Sequence, residues 1–153
     1  MKRREFIHLL LGSLSLSFFS SQLLASHASG KEFTETIAAL SETILPANNN
    51  SPGTNGQEVV RMIMAKTVES QDWKNFYQKG TYLLNNFSRR MFRKPFFRLS
   101  PRQRKKCLAI YWRKSAGKPQ EVFLQAIKQD AVTELFTTRA GLEWLGYKGK
   151  KEA

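Results

Sequence analysis

Histidine is almost absent from this 153-residue chain, because both histidines, His8 and His27, fall within the first 28 residues. Residues 29–153 contain none. Without an imidazole, this region has no serine–histidine or cysteine–histidine nucleophile pair, no histidine general base and no imidazole metal ligand. The sequence therefore excludes the commonest designs of hydrolytic and metal-dependent active sites from residues 29–153.

Cysteine is equally scarce, since Cys107 is the only one. A single cysteine cannot form an internal disulfide, a Cys-x-x-Cys-His haem attachment site or an iron–sulfur cluster. It lies on the apolar side of a predicted helix, and that position predicts a buried, unreactive thiol.

Nucleotide-binding loops are also missing. No Gly-x-Gly-x-x-Gly segment follows a strand-like run, and no Gly-x-x-x-x-Gly-Lys-Ser/Thr segment occurs. No carboxylates have a ligand-like spacing, and we expect Glu121, Asp130 and Glu134 to be solvated. We therefore expect no catalytic residues, no cofactor and no metal in this chain.

The amino terminus has the layout of a secretory signal. A short cationic head containing Arg3, Arg4 and Phe6 precedes an apolar stretch, Ile7–Leu24, which is diluted by Gly12 and several serines. Two adjacent arginines followed by one residue and then Phe-Ile resemble the twin-arginine motif, an export address that a receptor reads. We expect the twin-arginine translocase to recognise this head.

The signal has two candidate cleavage points. The small residues Ser26 and Ala28 favour cleavage after Ala28, and cleavage after Ala25 is the second choice. The alternative is an uncleaved membrane anchor, since about 20 apolar residues span a bilayer. Residues 1–28 are thus predicted to be the signal and 29–153 one domain, located in the periplasm and associated with the inner membrane through its complex or an uncleaved signal.

Helical spacing of apolar residues dominates the rest of the chain. The pattern predicts helices at Lys31–Leu45, Gln57 to about Val68, Asp72 to about Arg93, and Ser100 to Ala116. After a Gly117-Lys118-Pro119 break, a fifth helix is predicted from about Val122 to Leu135-Phe136. The third helix is expected to be the central packing element, and the polar stretch 47–56 a loop with no capacity to form a core. Strand-like alternation and internal repeats are absent. The prediction is all-α, a small bundle of about five helices after the signal.

The whole chain has a formal net charge of +13, and its positive charge is concentrated in the middle of the sequence. No acidic residue lies between Asp72 and Glu121. This basic 73–120 stretch is open to three interpretations: a solvated face, a patch for anionic lipid, or a docking surface for an acidic partner. An export signal argues against nucleic acid. Phe96 and Phe97 are candidate interface residues because aromatic side chains beside cations are enriched at interfaces; the neighbouring cations are Arg93, Lys94 and Arg98.

Two short segments carry a family resemblance. The first is Leu40-Ser-Glu-Thr-Ile-Leu-Pro46, which a Pro-Gly loop follows. The second is the tail, Phe136 to Tyr147, with its Phe136-Thr137-Thr138, Gly141 and Gly146-Tyr147. Together with the twin-arginine head, they resemble the gluconate 2-dehydrogenase subunit 3 family, the small gamma subunits of membrane-associated sugar and sugar-acid dehydrogenases.

The resemblance implies an accessory subunit with no cofactor of its own. FAD would belong to a large catalytic subunit of the glucose-methanol-choline oxidoreductase (GMC) type, and haem c to a c-type cytochrome subunit. The small subunit would supply the export signal for the flavoprotein. The tail would either face the partner or close the bundle core, with Gly141 and Gly146 as caps. The alternative function is a free-standing periplasmic binding or envelope protein whose basic face engages lipid or polyanion.

Overall fold

The computed structural model describes residues 30–147, so the twin-arginine head, both cleavage points and residues 148–153 lie outside the described part. Six α-helices and one 3₁₀ helix, with no strand, make up residues 30–147. They are α1 Gly30–Ile44, α2 Gly56–Glu69, α3 Gln71–Phe92, the 3₁₀ helix Phe96–Arg98, α4 Pro101–Lys114, α5 Pro119–Thr137 and α6 Arg139–Trp144. The all-α prediction is confirmed. None of these helices is both long and apolar enough to cross a bilayer.

Local sequence explains where the helices begin and end. The Ser100 hydroxyl accepts from the Gln103 N–H while the Gln103 side chain accepts from the Ser100 N–H, and this capping box starts α4. The Asn55 side-chain oxygen caps α2 by accepting from the Gln57 and Glu58 N–H groups. Arg93, with a left-handed φ of 60°, ends α3. These caps supply partners to backbone groups that the helix itself leaves unpaired.

The core lies between three helices that each contact all the other long ones. α1, α3 and α5 share this central place, so the prediction of α3 alone as the centre is only partly right. Gly80 on α3 is buried against the Phe123 ring of α5, and a Cβ at Gly80 would overlap that ring. Glycine at position 80 therefore allows α3 and α5 to approach each other closely.

A buried carboxylate joins three helices. Asp130 of α5 accepts a 2.6 Å hydrogen bond from the Tyr77 hydroxyl of α3 and pairs with the Lys66 ammonium of α2. Tyr77 is fully buried and Asp130 nearly so. Burial, and after it the negative charge of Asp130, raises the pKa of Tyr77 far above its usual value. The expectation that Asp130 is solvated was wrong, because its partners come from distant segments.

Glu134 is also buried, so the expectation that it is solvated was wrong as well. Its Oε2 accepts from the Thr54 hydroxyl at 2.5 Å and from the Asn55 N–H at 3.1 Å, and its side chain is buried. The polar loop before α2 was predicted to have no capacity to form a core. Thr54 is nevertheless buried, because the carboxylate of α5 supplies its hydroxyl with a partner. Of the three acids, Glu121 alone is half-exposed.

A second polar network positions the 3₁₀ helix. The Asn85 carbonyl oxygen accepts from the Phe96 N–H at 2.9 Å, and the Asn85 amide donates to Thr36 and Glu32 of α1. Glu32 also pairs with Arg89 at 2.5 Å. Phe96 is consequently fully buried in the core. It has no surface to offer a partner, so the interface prediction is corrected for Phe96.

Candidate docking surface at the last helix

The exposed apolar side chains cluster at the end of the described chain. Of the eight large hydrophobic residues exposed within residues 30–147, five lie in the last twelve positions. They are Phe136, Leu142, Trp144, Leu145 and Tyr147, with exposures of 42%, 38%, 50%, 46% and 69%. We call these five residues the tail patch. Since monomeric proteins rarely leave large apolar side chains grouped at the surface, the tail patch is a candidate docking surface.

α6 is fixed to the end of α5 by a tight turn. The Thr138 hydroxyl donates to the Leu135 carbonyl at 2.9 Å and accepts from the Gly141 N–H at 3.1 Å, which caps α6. A Cβ at Gly141 would overlap the Leu135 carbonyl oxygen. Only glycine fits this position, so Thr138 and Gly141 together set the angle between α5 and α6.

Hydrogen bonds also fix the carboxyl end of α6. Gly146 has a φ of 86°, its N–H donates to the Glu143 carbonyl, and the Tyr147 N–H donates to the Leu142 carbonyl. This pair of bonds is the Schellman motif, in which glycine readily adopts the left-handed conformation. The Trp144 indole N–H also donates to the Asn50 carbonyl at 2.5 Å. The tail patch is therefore held in place by hydrogen bonds at both ends of α6.

The structure distributes the predicted tail residues between two roles. Gly146 ends α6 as expected for a cap, whereas Gly141 is buried in the first turn of α6, which Thr138 caps. Phe136 and Tyr147 are exposed and do not close the bundle core. Thr137 is exposed, and its hydroxyl donates back to the Glu134 carbonyl. Partner contact by this segment stays a prediction.

Phe97, the other aromatic candidate, lies apart from the tail patch in the basic stretch. It is half-buried, and the Arg98 guanidinium sits 5.6 Å from its ring centroid. Arg104 of α4 donates to the Phe97 carbonyl at 2.6 Å. These contacts fix Phe97 against α4 and leave part of its ring open to solvent.

Cys107 is fully buried, as its position on the apolar side of α4 predicts. Burial raises the pKa of its thiol to about 11, and the nearby Ser88 hydroxyl, which lowers the pKa, does not offset this. In the part of the chain that the structure describes, no three His, Cys, Asp or Glu side chains are grouped closely enough to hold a metal ion.

We expect Cys107 to resist alkylation in the folded protein. With a thiol pKa about two units above normal, the thiolate fraction at pH 8 is lower by about a hundredfold, and burial slows attack further. The iodoacetamide reaction, followed by mass spectrometry, should be at least that much slower than in urea and should accelerate as the pH rises towards 11. A rate that levels off near pH 9 would contradict this prediction.

A family profile matches the chain over residues 31–149, which is most of its length; its description is gluconate 2-dehydrogenase subunit 3. The chain belongs to the gluconate 2-dehydrogenase subunit 3 family. As a member of that family it is an accessory-type subunit of a multi-subunit dehydrogenase complex. No curated protein and no solved structure matches the chain.

The geometry gives physical reasons for the two segments that carried the resemblance to the gluconate 2-dehydrogenase subunit 3 family. The first lies at the end of α1, where Glu42 accepts from the Gly56 N–H at 3.2 Å. The second forms the α5–α6 turn and α6 itself. They meet around the loop before α2, because Glu42 holds the Gly56 end of that loop and Trp144 holds Asn50. The two segments thus build one region of the surface.

Proposed function

We propose that this chain is the cofactor-free small subunit of a periplasmic, membrane-associated, FAD-dependent gluconate or sugar dehydrogenase. The catalytic partner would be a GMC-type flavoprotein, with a c-type cytochrome as a further subunit. The small subunit would stabilise the flavoprotein by binding it and would supply the signal for its twin-arginine export. Membership in the gluconate 2-dehydrogenase subunit 3 family carries this proposal.

The tail patch supports a binding role. Two of its five side chains are large aromatics with a polar tip, Trp144 and Tyr147, and aromatic residues of this kind are enriched in interface cores. The hydrogen bonds at both ends of α6 hold the patch in shape before a partner arrives. Binding to a rigid surface avoids part of the ordering cost of association. We propose that the flavoprotein covers the tail patch.

Co-purification of the flavoprotein tests this docking site. Replacing Leu145 and Tyr147 by serine removes apolar area without touching the Trp144–Asn50 bond. We expect recovery of the flavoprotein on the tagged small subunit to fall by about tenfold or more, which corresponds to about 1.4 kcal/mol of binding free energy. The measurement is the ratio of the two subunits in a pull-down from co-expressing cells.

The matched control replaces two exposed apolar residues elsewhere. Met64 and Val68 on α2 are 42% and 85% exposed, and M64S/V68S removes the same number of apolar side chains. We expect flavoprotein recovery close to that of the unmodified subunit. Equal losses for the two pairs would show that the tail patch is not the specific contact.

The escort role has a separate test. Replacing Arg3 and Arg4 by lysine should leave both the small subunit and the flavoprotein in the cytoplasm, because the flavoprotein is proposed to have no export signal of its own. Dye-linked dehydrogenase activity measured in periplasmic and cytoplasmic fractions reports the location. Unchanged periplasmic activity with the lysine variant would refute the escort role while leaving the docking test unaffected.

A further inference from the structure

A basic cleft opens between α3, α4 and the start of α5. Its volume is about 290 Å³. Three cations line it, one from each side: Arg90 of α3, Lys114 of α4 and Lys118 just before α5. No carboxylate lines the cleft, and none occurs in the whole 73–120 stretch. The cleft therefore lacks an internal counter-charge.

Two of the residues that line the cleft each have a buried polar atom without a hydrogen-bond partner. Within residues 30–147, four buried side-chain N or O atoms have no hydrogen-bond partner, and two of the four belong to cleft residues: the Tyr111 hydroxyl and the Gln120 Oε1. Tyr111 is 6% exposed. A buried hydroxyl without a partner is unfavourable for folding, and a ligand or water that reached it would remove this cost. Burial also raises the pKa of Tyr111, which keeps the hydroxyl protonated and able to donate.

The lining of the cleft is partly apolar, as at Phe87, and partly cationic or polar. Phe87 supplies an apolar surface, with the Lys114 ammonium 5.9 Å from its ring centroid and the Tyr111 ring centroid 5.0 Å away. A ligand that suits both parts of the lining has a short aliphatic part and an anionic end. Rotation of the Gln120 amide about its last bond would turn its NH₂ towards the same anion. A glutamate side chain has this combination of groups.

We propose that the cleft binds a carboxylate side chain presented by an acidic segment of another protein. The cleft's 290 Å³ lies at the lower limit of the about 300–1,000 Å³ typical of small-molecule sites, which is ample for one side chain. The net charge of +13 favours an acidic partner over a neutral one. A lipid surface fits less well, since a concave site takes one projecting group rather than a flat layer of head groups.

This site is distinct from the tail patch. Gln120 lies at the beginning of α5 and Phe136 near its end, about 24 Å apart along the helix at 1.5 Å per residue. Binding at the cleft therefore does not depend on the tail patch. A test without any dehydrogenase can fail without affecting the proposed function, and the converse also holds.

The test uses the full chain and a capped hexaglutamate peptide in isothermal titration calorimetry, with capped hexaglutamine as the uncharged comparison. R90Q/K114Q removes two cleft cations, whereas R102Q/K105Q removes two exposed cations of the same basic stretch that do not line the cleft. We expect the Kd for hexaglutamate to rise about tenfold or more in the first pair and less than about threefold in the second. Equal rises would mean non-specific attraction and would overturn the proposal.

Tyr111→Phe gives a readout that a purely structural role would not give. It removes the unpartnered hydroxyl, so we expect the Tm to stay equal or rise while the Kd for hexaglutamate rises several-fold. An unchanged Kd would overturn the assignment. Tighter, cleft-dependent binding to phosphatidylglycerol vesicles than to hexaglutamate would replace the acidic segment by a lipid head group and would also overturn it.

Discussion

Replacing Asp130 by alanine is expected to lower the free energy of unfolding by about 2–4 kcal/mol. The fully buried Tyr77 hydroxyl would lose its acceptor, and the Lys66 ammonium would lose its counter-charge. Lys66 is 36% exposed in its side chain and can turn towards water, so most of the effect comes from Tyr77 and from the space left behind. Urea unfolding followed by circular dichroism measures the change.

Asparagine at position 130 separates these contributions. It is close in size to aspartate and keeps a carbonyl oxygen that can accept from Tyr77, but it removes the charge that pairs with Lys66. We expect Asp130→Asn to cost clearly less than Asp130→Ala, and Lys66→Ala to cost about 1–3 kcal/mol, because it leaves the buried Asp130 carboxylate without its counter-charge. If the asparagine and alanine variants are equally destabilised, the Tyr77 hydrogen bond is not the dominant contribution.

Gly141→Ala is expected to lower recovery of the proposed flavoprotein partner strongly while leaving most of the bundle folded. A Cβ at this position overlaps the Leu135 carbonyl oxygen, which is backbone and cannot move aside. α6 would have to leave its place, and the tail patch would move with it. Because α6 packs chiefly on α5, the core between α1, α3 and α5 remains. The expected reduction in the pull-down ratio is about tenfold or more, equivalent to about 1.4 kcal/mol or more of binding free energy.

Two measurements accompany this variant. Circular dichroism at 222 nm should retain most of its helical signal, because α6 contributes only six residues. Ala140→Ser is the matched control, since it adds one oxygen atom at an exposed position of the same helix. It should leave flavoprotein recovery unchanged. Normal recovery with Gly141→Ala would show that docking does not depend on the position of α6.

Helix positions were predictable because their signals are local. The spacing of Phe33, Ile37 and Leu40 predicted a helix over Lys31–Leu45, and α1 runs over Gly30–Ile44. The Ser100-Pro101 start signal was equally direct. Five long helices were predicted and found; the short α6 was missed because its start depends on the Thr138 cap and on the close packing of Gly141, rather than on apolar spacing.

The buried acids could not be paired from sequence, since their partners are far away along the chain. Tyr77 precedes Asp130 by 53 positions, and Thr54 precedes Glu134 by 80. One local feature of the sequence does indicate that these acids are buried. The buried face of α5 follows helical spacing straight through both acids; it comprises Phe123, Leu124, Ile127, Asp130, Ala131, Glu134 and Leu135. Carboxylates inside an apolar stripe indicate buried partners.

The sequence identified the segment that forms the candidate docking surface, but it did not show which of its side chains are exposed. The Phe136 to Tyr147 segment resembles the gluconate 2-dehydrogenase subunit 3 family, yet the sequence left open whether its apolar residues close the core. That choice depends on the angle between α5 and α6, which Thr138 and Gly141 set. The cleft beside Tyr111 was invisible for a similar reason, since it arises only where α3, α4 and the start of α5 diverge.

The loop before α2 should evolve at two different rates along its length. Trp144 holds it through the main-chain carbonyl of Asn50, an atom that every residue possesses, so the side chain at position 50 is free to change. Thr54 is held through its own hydroxyl by Glu134. Substitution of either residue removes the bond between them, which leaves Glu134 with the Asn55 N–H and Thr54 with the more distant Ala131 carbonyl. Homologous sequences should therefore show independent drift at position 50 and paired replacement at positions 54 and 134.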